Sequence, residues 1–333
     1  MLKIMAAKSS SLKRRFRQKV LATVPFLSTP KVTGWAYTEI NIHLIKCQST
    51  GWHFFLYLYT INLATMQFRL IKPSPLLAPY IRQYWYLEMD AREGMQKTER
   101  VVPNGFVEMT FHFSDRLMRI GETCEMQPGI IISGQKTGFF DVLPTGRTEM
   151  LSVQFYPHSA GLFFPFPVSE LADYSLHLED AVGTVARELE EQLQDLSSLE
   201  ERVAHIERFL LHLLSRNTTY QWNRICHTIH LINNAKGVIS VSELADAACM
   251  SRKQQEREFK KMVGLSPKQY LKVIRFQSAL YAHQQFPGDT LTELAYRCGY
   301  FDQSHMINDF RQLSGITPGQ YFSECEAPYS DYF

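Results

Sequence analysis

The sequence predicts an α+β chain in which a β-rich barrel or sandwich precedes an all-α domain carrying two helix-turn-helix motifs joined by a linker helix. Three observations predict it. Short β-rich runs punctuated by Gly and Pro occupy residues 66–165; apolar residues at helical spacing follow in 169–216; and beyond residue 240 one helical pattern is written twice. The 333 residues have room for two or three domains, and their composition is that of an ordinary globular protein.

Residues 1–65 differ from the rest. They carry nine Lys plus Arg against one acid, Glu39, with a basic run from Lys13 to Lys19. An apolar stretch over 52–64 is 13 residues long, short of the ~20 that cross a bilayer. The order of a secretory signal is missing, because the charged run lies far from the apolar one. The preferred reading is that translation begins at Met66 and that 1–65 are upstream sequence; a basic arm for DNA or membrane is the alternative.

Residues 66–165 read as strands at 80–87, 106–113, 129–133 and 149–156, separated by Pro103-Asn-Gly105, Pro128-Gly129 and Pro144-Thr-Gly146. Val107-Glu-Met-Thr-Phe-His-Phe113 alternates apolar and polar as a half-buried strand does. Residues 166–221 form a helical connection: Val182, Val185, Leu189 and Leu193, then Val203, Ile206, Leu210 and Leu213, recur on one face. That stripe serves either packing on the preceding β-rich unit or pairing with a second copy.

Residues 222–333 are the tandem unit. Ser240-Val-Ser-Glu-Leu-Ala245 returns as Thr290-Leu-Thr-Glu-Leu-Ala295, and Phe259, Gly264, Ser266, Pro267 and Tyr270 return as Phe310, Gly315, Thr317, Pro318 and Tyr321. The interval is 50 residues in the first block and 51 afterwards, so one residue is inserted at the turn. Ser240 with Glu243, and Thr290 with Glu293, have the capping-box spacing that satisfies free amides at a helix start. Each short helix is expected to run to about Met250 or Tyr300. Ser251 and Asp302 then cap second helices, Arg252–Val263 and Gln303–Ser314, which Gly264 and Gly315 stop. Between the copies, Ser266-Pro267 opens a rod that lasts until Pro287-Gly288. Its 19 residues span roughly 27 Å, of the order of the about 34 Å between major grooves on one face of B-DNA.

These residues resemble a known family. The tandem motif, with Gly264-Leu-Ser-Pro267, the linker helix containing Arg275, and Gly299-Tyr-Phe-Asp-Gln-Ser-His305 leading to Gly315-Ile-Thr-Pro318, is similar to the DNA-binding domain of AraC/XylS-type bacterial transcription regulators. The resemblance covers 222–322. It implies that the first turn and a half of each second helix touches bases, which falls on Lys253, Glu256 and Arg257 in the first copy and on Gln303, Ser304 and Asn308 in the second. Arg257 has the donors for guanine O6 and N7, and Gln303 or Asn308 can pair bidentately with adenine. Lys253 suits a phosphate as well as a base. Glu256 either accepts from a cytosine amine or belongs to a solvated helix face. The resemblance further implies double-stranded promoter DNA and RNA polymerase as partners, a small-molecule effector held by the β-rich unit, a homodimer, and a cytoplasmic activator. Around Phe155-Tyr-Pro157, Phe166-Pro167 and Leu178-Glu-Asp-Ala-Val-Gly183 the chain is similar in outline to the sensor halves of some members.

One departure stands out. Gln255 occupies the place that Met306 takes in the second copy, so either it is partly exposed or its helix is rolled. Phe259, Phe310, Leu294, Met306 and Leu313 read as core.

Charge divides the chain as the repeats do. Residues 222–322 carry a net +4 and 66–221 a net −7, as a basic reader joined to an acidic control module would. No catalytic, cofactor or metal signature accompanies them. Glu108 and His112 share a strand face some 13 Å apart, and His158 stands alone in the sequence. Glycine-rich phosphate loops and nucleophile elbows are missing. The six cysteines, at 47, 124, 226, 249, 298 and 325, include no Cys-x-x-Cys pair and read as reduced thiols, three of them packed in the helical reader. The competing reading is a ligand-binding sensor or enzyme whose helical domain mediates protein association.

Overall fold

The computed structural model describes residues 67–90, 98–214, 220–325 and 330. The readings made for residues 1–65 and for Met66 lie outside the described residues.

Among the described residues ten strands form two antiparallel sheets rather than a closed barrel. Strands β1 (Gln67–Ile71), β2 (Ile81–Asp90), β4 (Val107–His112), β7 (Ile130–Ser133), β9 (Arg147–Phe155) and β10 (Ser175–His177) make a six-stranded sheet in the order β1-β2-β9-β4-β7-β10. The second sheet runs β3-β8-β5-β6, from Glu99–Val101, Phe140–Pro144, Leu117–Ile120 and Glu125–Met126. The long central ladder pairs Tyr84 with Val153 and Glu88 with Glu149, and on β9's other side Met109 meets Val153. Sandwich is therefore the correct half of the barrel-or-sandwich expectation.

Helices α1 (Leu178–Val182), α2 (Thr184–Gln194) and α3 (Leu199–Leu213) follow. The stripe of Leu189, Leu193, Ile206 and Leu210 is buried in the cluster that contains Tyr84, Met109, Phe111 and Leu151. Packing on the chain's own sheet accounts for it. Glu207 on α3 ties the layers together by accepting from the Ser74 backbone N–H at 2.7 Å and the Tyr84 hydroxyl at 3.0 Å.

The helical third comprises α4 (Tyr220–Asn234), α5 (Val241–Ala247), α6 (Arg252–Val263), α7 (Pro267–Gln285), α8 (Leu291–Arg297), α9 (Gln303–Ser314) and α10 (Pro318–Glu324). The caps sit where the spacing predicts: capping boxes at Ser240, Ser266, Thr290 and Thr317, and a proline at the first turn of α7 and of α10. The first helix of each pair is shorter than expected, ending at Ala247 and Arg297 rather than near Met250 and Tyr300. Cys249 and Gly299, with φ of 50° and 70°, turn the chain left-handed before those residues are reached. Gly299 is doubly constrained, because a Cβ there would come within 2.5 Å of the Val238 side chain.

One core contains Phe259, Tyr270, Phe276, Met306, Phe310 and Tyr321, and also Val102 and Phe106 from the loop between β3 and β4. The Pro103-Asn-Gly105 turn that sequence marks as punctuation thus carries two side chains into the helical cluster.

Candidate nucleic-acid interface

Each copy of the motif is built by its caps. Ser240 Oγ accepts from the Glu243 N–H at 3.1 Å while Glu243 Oε2 accepts from the Ser240 N–H at 2.9 Å. Thr290 and Glu293 repeat the exchange at 3.3 and 2.7 Å. These bonds hold both carboxyls below the usual carboxylate range. Ser251 caps α6 through the Gln254 N–H and Asp302 caps α9 through the His305 N–H, so both second helices start at a defined residue and present their first turns outward.

Five of the six residues implied as base contacts, Lys253, Glu256, Arg257, Ser304 and Asn308, are exposed, and Gln303 is half-buried. Among the described residues Arg257 reaches its neighbour Glu258, through Nε and Nη2 at 3.0 and 2.9 Å, a surface pair of little strength that leaves the guanidinium available. Glu256 pairs with Lys260 at 3.2 Å, the arrangement of a solvated face. Gln303 Oε1 accepts from Thr292 Oγ1 at 3.0 Å, which orients the amide from the preceding helix. Helix α6 carries Arg252, Lys253, Arg257, Lys260 and Lys261, whereas α9 has Arg311 as its lone Lys or Arg. The first copy is the stronger attractor for phosphates.

Gln255 corrects the expectation of partial exposure or a rolled helix. It is 0% exposed, as Met306 is in the second copy, so both helices keep one register. Its side-chain oxygen and nitrogen have no hydrogen-bond partner among the described residues.

A charge cluster escaped the sequence reading. Asp309, on the inner face of α9 and 2% exposed, meets Lys272 at 2.9 Å, Arg275 at 3.2 Å and His305 at 3.8 Å. Arg275 also lies 5.0 Å from the Tyr300 ring centre. Burial first, and then the Asp309 charge, push the Tyr300 hydroxyl up. The linker helix α7 is thereby fastened to α9. The only available sequence signal was an acid at a core-facing position of α9, a spacing that by itself names no partner.

Between the two sheets lies a cavity of about 110 Å³, whose lining includes Trp85, Phe106, Glu108, Thr110, Lys136 and Gln277. The polar face of β4 looks into this cavity, with Thr110 buried and Glu108 and His112 partly buried. Val107, Met109 and Phe111 pack under the helices, while Thr110 bonds Ser152 at 3.0 Å, and Glu108 accepts from Asn104 at 2.8 Å and Gln154 at 2.8 Å. His112, beside Gln127 at 3.0 Å, is pushed down to about 4 by burial. Gln277 comes from the linker helix, so the cavity borders the reader.

Other contacts join sandwich and reader. Arg100 pairs with Asp141 at 2.8 Å and donates to the Ser314 carbonyl at 3.1 Å, at the end of α9. A Cβ on Gly315 would fall 2.6 Å from the Phe139 ring. Trp222 Nε1 donates to the His158 carbonyl at 3.1 Å, and the His158 ring lies among Tyr156, Trp222 and His230. Of the cysteines expected to pack, Cys298 is buried and Cys226 half-buried, but Cys249 is exposed in its turn. Among the described residues no group of three His, Cys, Asp or Glu could hold a metal ion, and no helix is long and apolar enough to cross a membrane.

Two separate stretches of the chain match known families. Residues 244–324 match a helix-turn-helix domain family, and residues 69–177 match a domain of unknown function, DUF6597. The chain is 32% identical over 106 residues to the HTH-type transcriptional regulator MtrA of Neisseria gonorrhoeae, covering 32% of this chain and 35% of that one. It is 29% identical over 133 residues to the HTH-type transcriptional activator RhaS of Escherichia fergusonii, covering 38% and 46%. These matches span about a third to a half of the relatives' lengths. ToxT of Vibrio cholerae aligns over 73% of this chain and 98% of its own with a TM-score of 0.41 and 10% identity.

Proposed function

We propose that the chain, whose residues 244–324 match a helix-turn-helix domain family, is an AraC-type, sequence-specific transcription regulator that reads two adjacent major-groove segments of promoter DNA. The observation that carries this reading is the pair of equally framed helices, α6 and α9, each capped at its reading end and held by one linker helix. Lys253 and Arg257 supply phosphate and guanine contacts, Gln303 and Asn308 suit adenine, and Ser304 suits either. Glu256, engaged with Lys260, tunes the face or accepts from cytosine.

The sandwich is the control module in this reading. A small molecule with both apolar and hydrogen-bonding parts suits a cavity lined by Trp85, Phe106, Glu108 and Thr110, and Gln277 is placed to transmit its presence to the linker helix. Contact with RNA polymerase, activation and work in the cytoplasm are part of this proposal, supported by the likeness to HTH-type regulators. A homodimer would have to use a surface other than the apolar stripe of α2 and α3, which the sheet already covers.

Selection from a random duplex library with the full chain tests the reading. A two-part motif with halves about 10–10.5 base pairs apart is expected. Arg257→Ala should then cost about 1–3 kcal/mol at one base position. Recovery of no motif at any salt concentration would overturn the reading in favour of a helical domain that binds protein.

A further inference from the structure

The two copies correspond at an interval of 50 residues through Met250 and Tyr300, and of 51 from the caps Ser251 and Asp302 onward. The structure locates the step. Cys249 and Gly299 both adopt positive φ, Met250 and Tyr300 are both buried, and Ser251 and Asp302 both cap the helix that follows. Phe301 has no counterpart in the first copy. It is the inserted residue, and its side chain is 85% exposed.

A large apolar residue just before an N-cap ordinarily folds back onto the fourth residue of its helix. That residue is Met306, which is already enclosed in the core at 0% exposure, and Phe301 stays outside the cluster. Its backbone is nonetheless held: the Phe301 N–H donates to His305 Nδ1 at 3.4 Å, while Asp302 caps the same turn at 2.7 Å. The ring therefore stands at the start of α9, immediately before the cap and next to Gln303 and Ser304, where a recognition helix meets base edges. At this exposure the ring buries little apolar surface for the fold. Helix α9 is also poor in cations beside α6, so its grip relies less on phosphate attraction.

We propose that Phe301 packs against the C5-methyl group of a thymine in the half-site read by α9, making that half-site prefer thymine at a position the first copy has no residue to read. Phenylalanine on the thymine methyl is an established mode of apolar base readout. The proposal rests on the regulator reading above.

Deoxyuridine isolates the interaction, since it lacks the methyl and keeps every hydrogen-bonding group of thymine. With the duplex selected by the full chain, each thymine of the second half-site is replaced singly by deoxyuridine, and binding is measured for the wild type, Phe301→Ala and Phe301→Leu. One replacement should weaken the wild type about fourfold, the transfer value of one buried methyl. Phe301→Ala should be insensitive to that replacement, and Phe301→Leu should keep part of the sensitivity. The melting temperature of Phe301→Ala should match the wild type, because the ring is exposed. Specific binding that ignores every deoxyuridine, or an equal loss in wild type and Phe301→Ala, would overturn the proposal while leaving the regulator reading intact. Unchanged binding of Phe301→Ala with lost transcription would assign the ring to a protein partner instead. Failure of the wild type to select any duplex would remove the regulator reading beneath it.

Discussion

Gln277, in the middle of the linker helix, donates a 2.7 Å hydrogen bond to the carbonyl of Pro103 in the loop between β3 and β4. Its own Oε1 accepts from Ser330 Oγ at 2.7 Å. One buried amide thus joins the loop that borders the cavity to the helix that spaces the two reading units. Gln277→Ala removes the donor to the Pro103 carbonyl, and an unmet buried group costs about 1–3 kcal/mol. Denaturant unfolding should show a loss in that range, and DNA affinity should become less responsive to any ligand that occupies the cavity.

Gln255 is the reverse case, a buried amide with neither polar atom hydrogen-bonded among the described residues. Gln255→Met copies the second motif's Met306 and removes two desolvated groups while nearly conserving volume. The variant should be more stable by ~1–3 kcal/mol, with unchanged DNA affinity because the position faces the core. A destabilised variant would show that the amide has a partner in solution.

Local rules made much of the reader legible. Ser240, Ser251, Ser266, Thr290, Asp302 and Thr317 act on amides within three residues, and Gly264 and Gly315 stop helices by their own backbone freedom, so spacing alone locates them. Long-range features were not legible. The polar face of β4 reads as a solvent face until a second sheet is known to cover it. The destination of Val102 and Phe106 depends on helices more than a hundred residues away, and Asp309 acquires meaning only when Lys272 and Arg275 are brought to it. Sequence places all six proposed base contacts on the second helices, but only the structure shows Glu256 engaged with Lys260 and Phe301 standing free of the core.

Asp309→Ala should separate the two reading units. It leaves Arg275, whose side chain is 18% exposed, without its carboxylate, and breaking a buried pair by removing one partner costs ~3 kcal/mol or more. Asp309→Asn, which keeps a hydrogen-bond acceptor, should lose less. Affinity should fall chiefly through the half-site read by α9, which footprinting or single-base substitution in each half-site would reveal; equal losses in both halves would count against the fastening role.

Acid should loosen the junction between sandwich and reader through His158. Burial, with His230 as a smaller cause, pushes its imidazole down to about 4 from the ordinary 6.5, and Cys226 Sγ lies 3.6 Å from Nε2. Between those values the unfolded chain binds a proton that the native ring refuses, so stability falls as pH drops from 6.5 towards 4, by up to roughly 3 kcal/mol. His158→Gln should flatten this part of the pH profile of unfolding, and an unaltered profile would assign the acid sensitivity to other groups.

Cutting the reader away from the sandwich should destabilise it. A fragment beginning at Trp222 lacks Val102 and Phe106, which belong to the helical core, and it lacks the Arg100 guanidinium that bonds the Ser314 carbonyl. Fully burying one Val- or Phe-sized side chain is worth about 1.5–3 kcal/mol, so the fragment should unfold at lower denaturant than the same helices within the full chain, even with every cap intact. Equal stability would mean that the helices close over the gap. In that event Val102 and Phe106 would be a removable plug in the helical core.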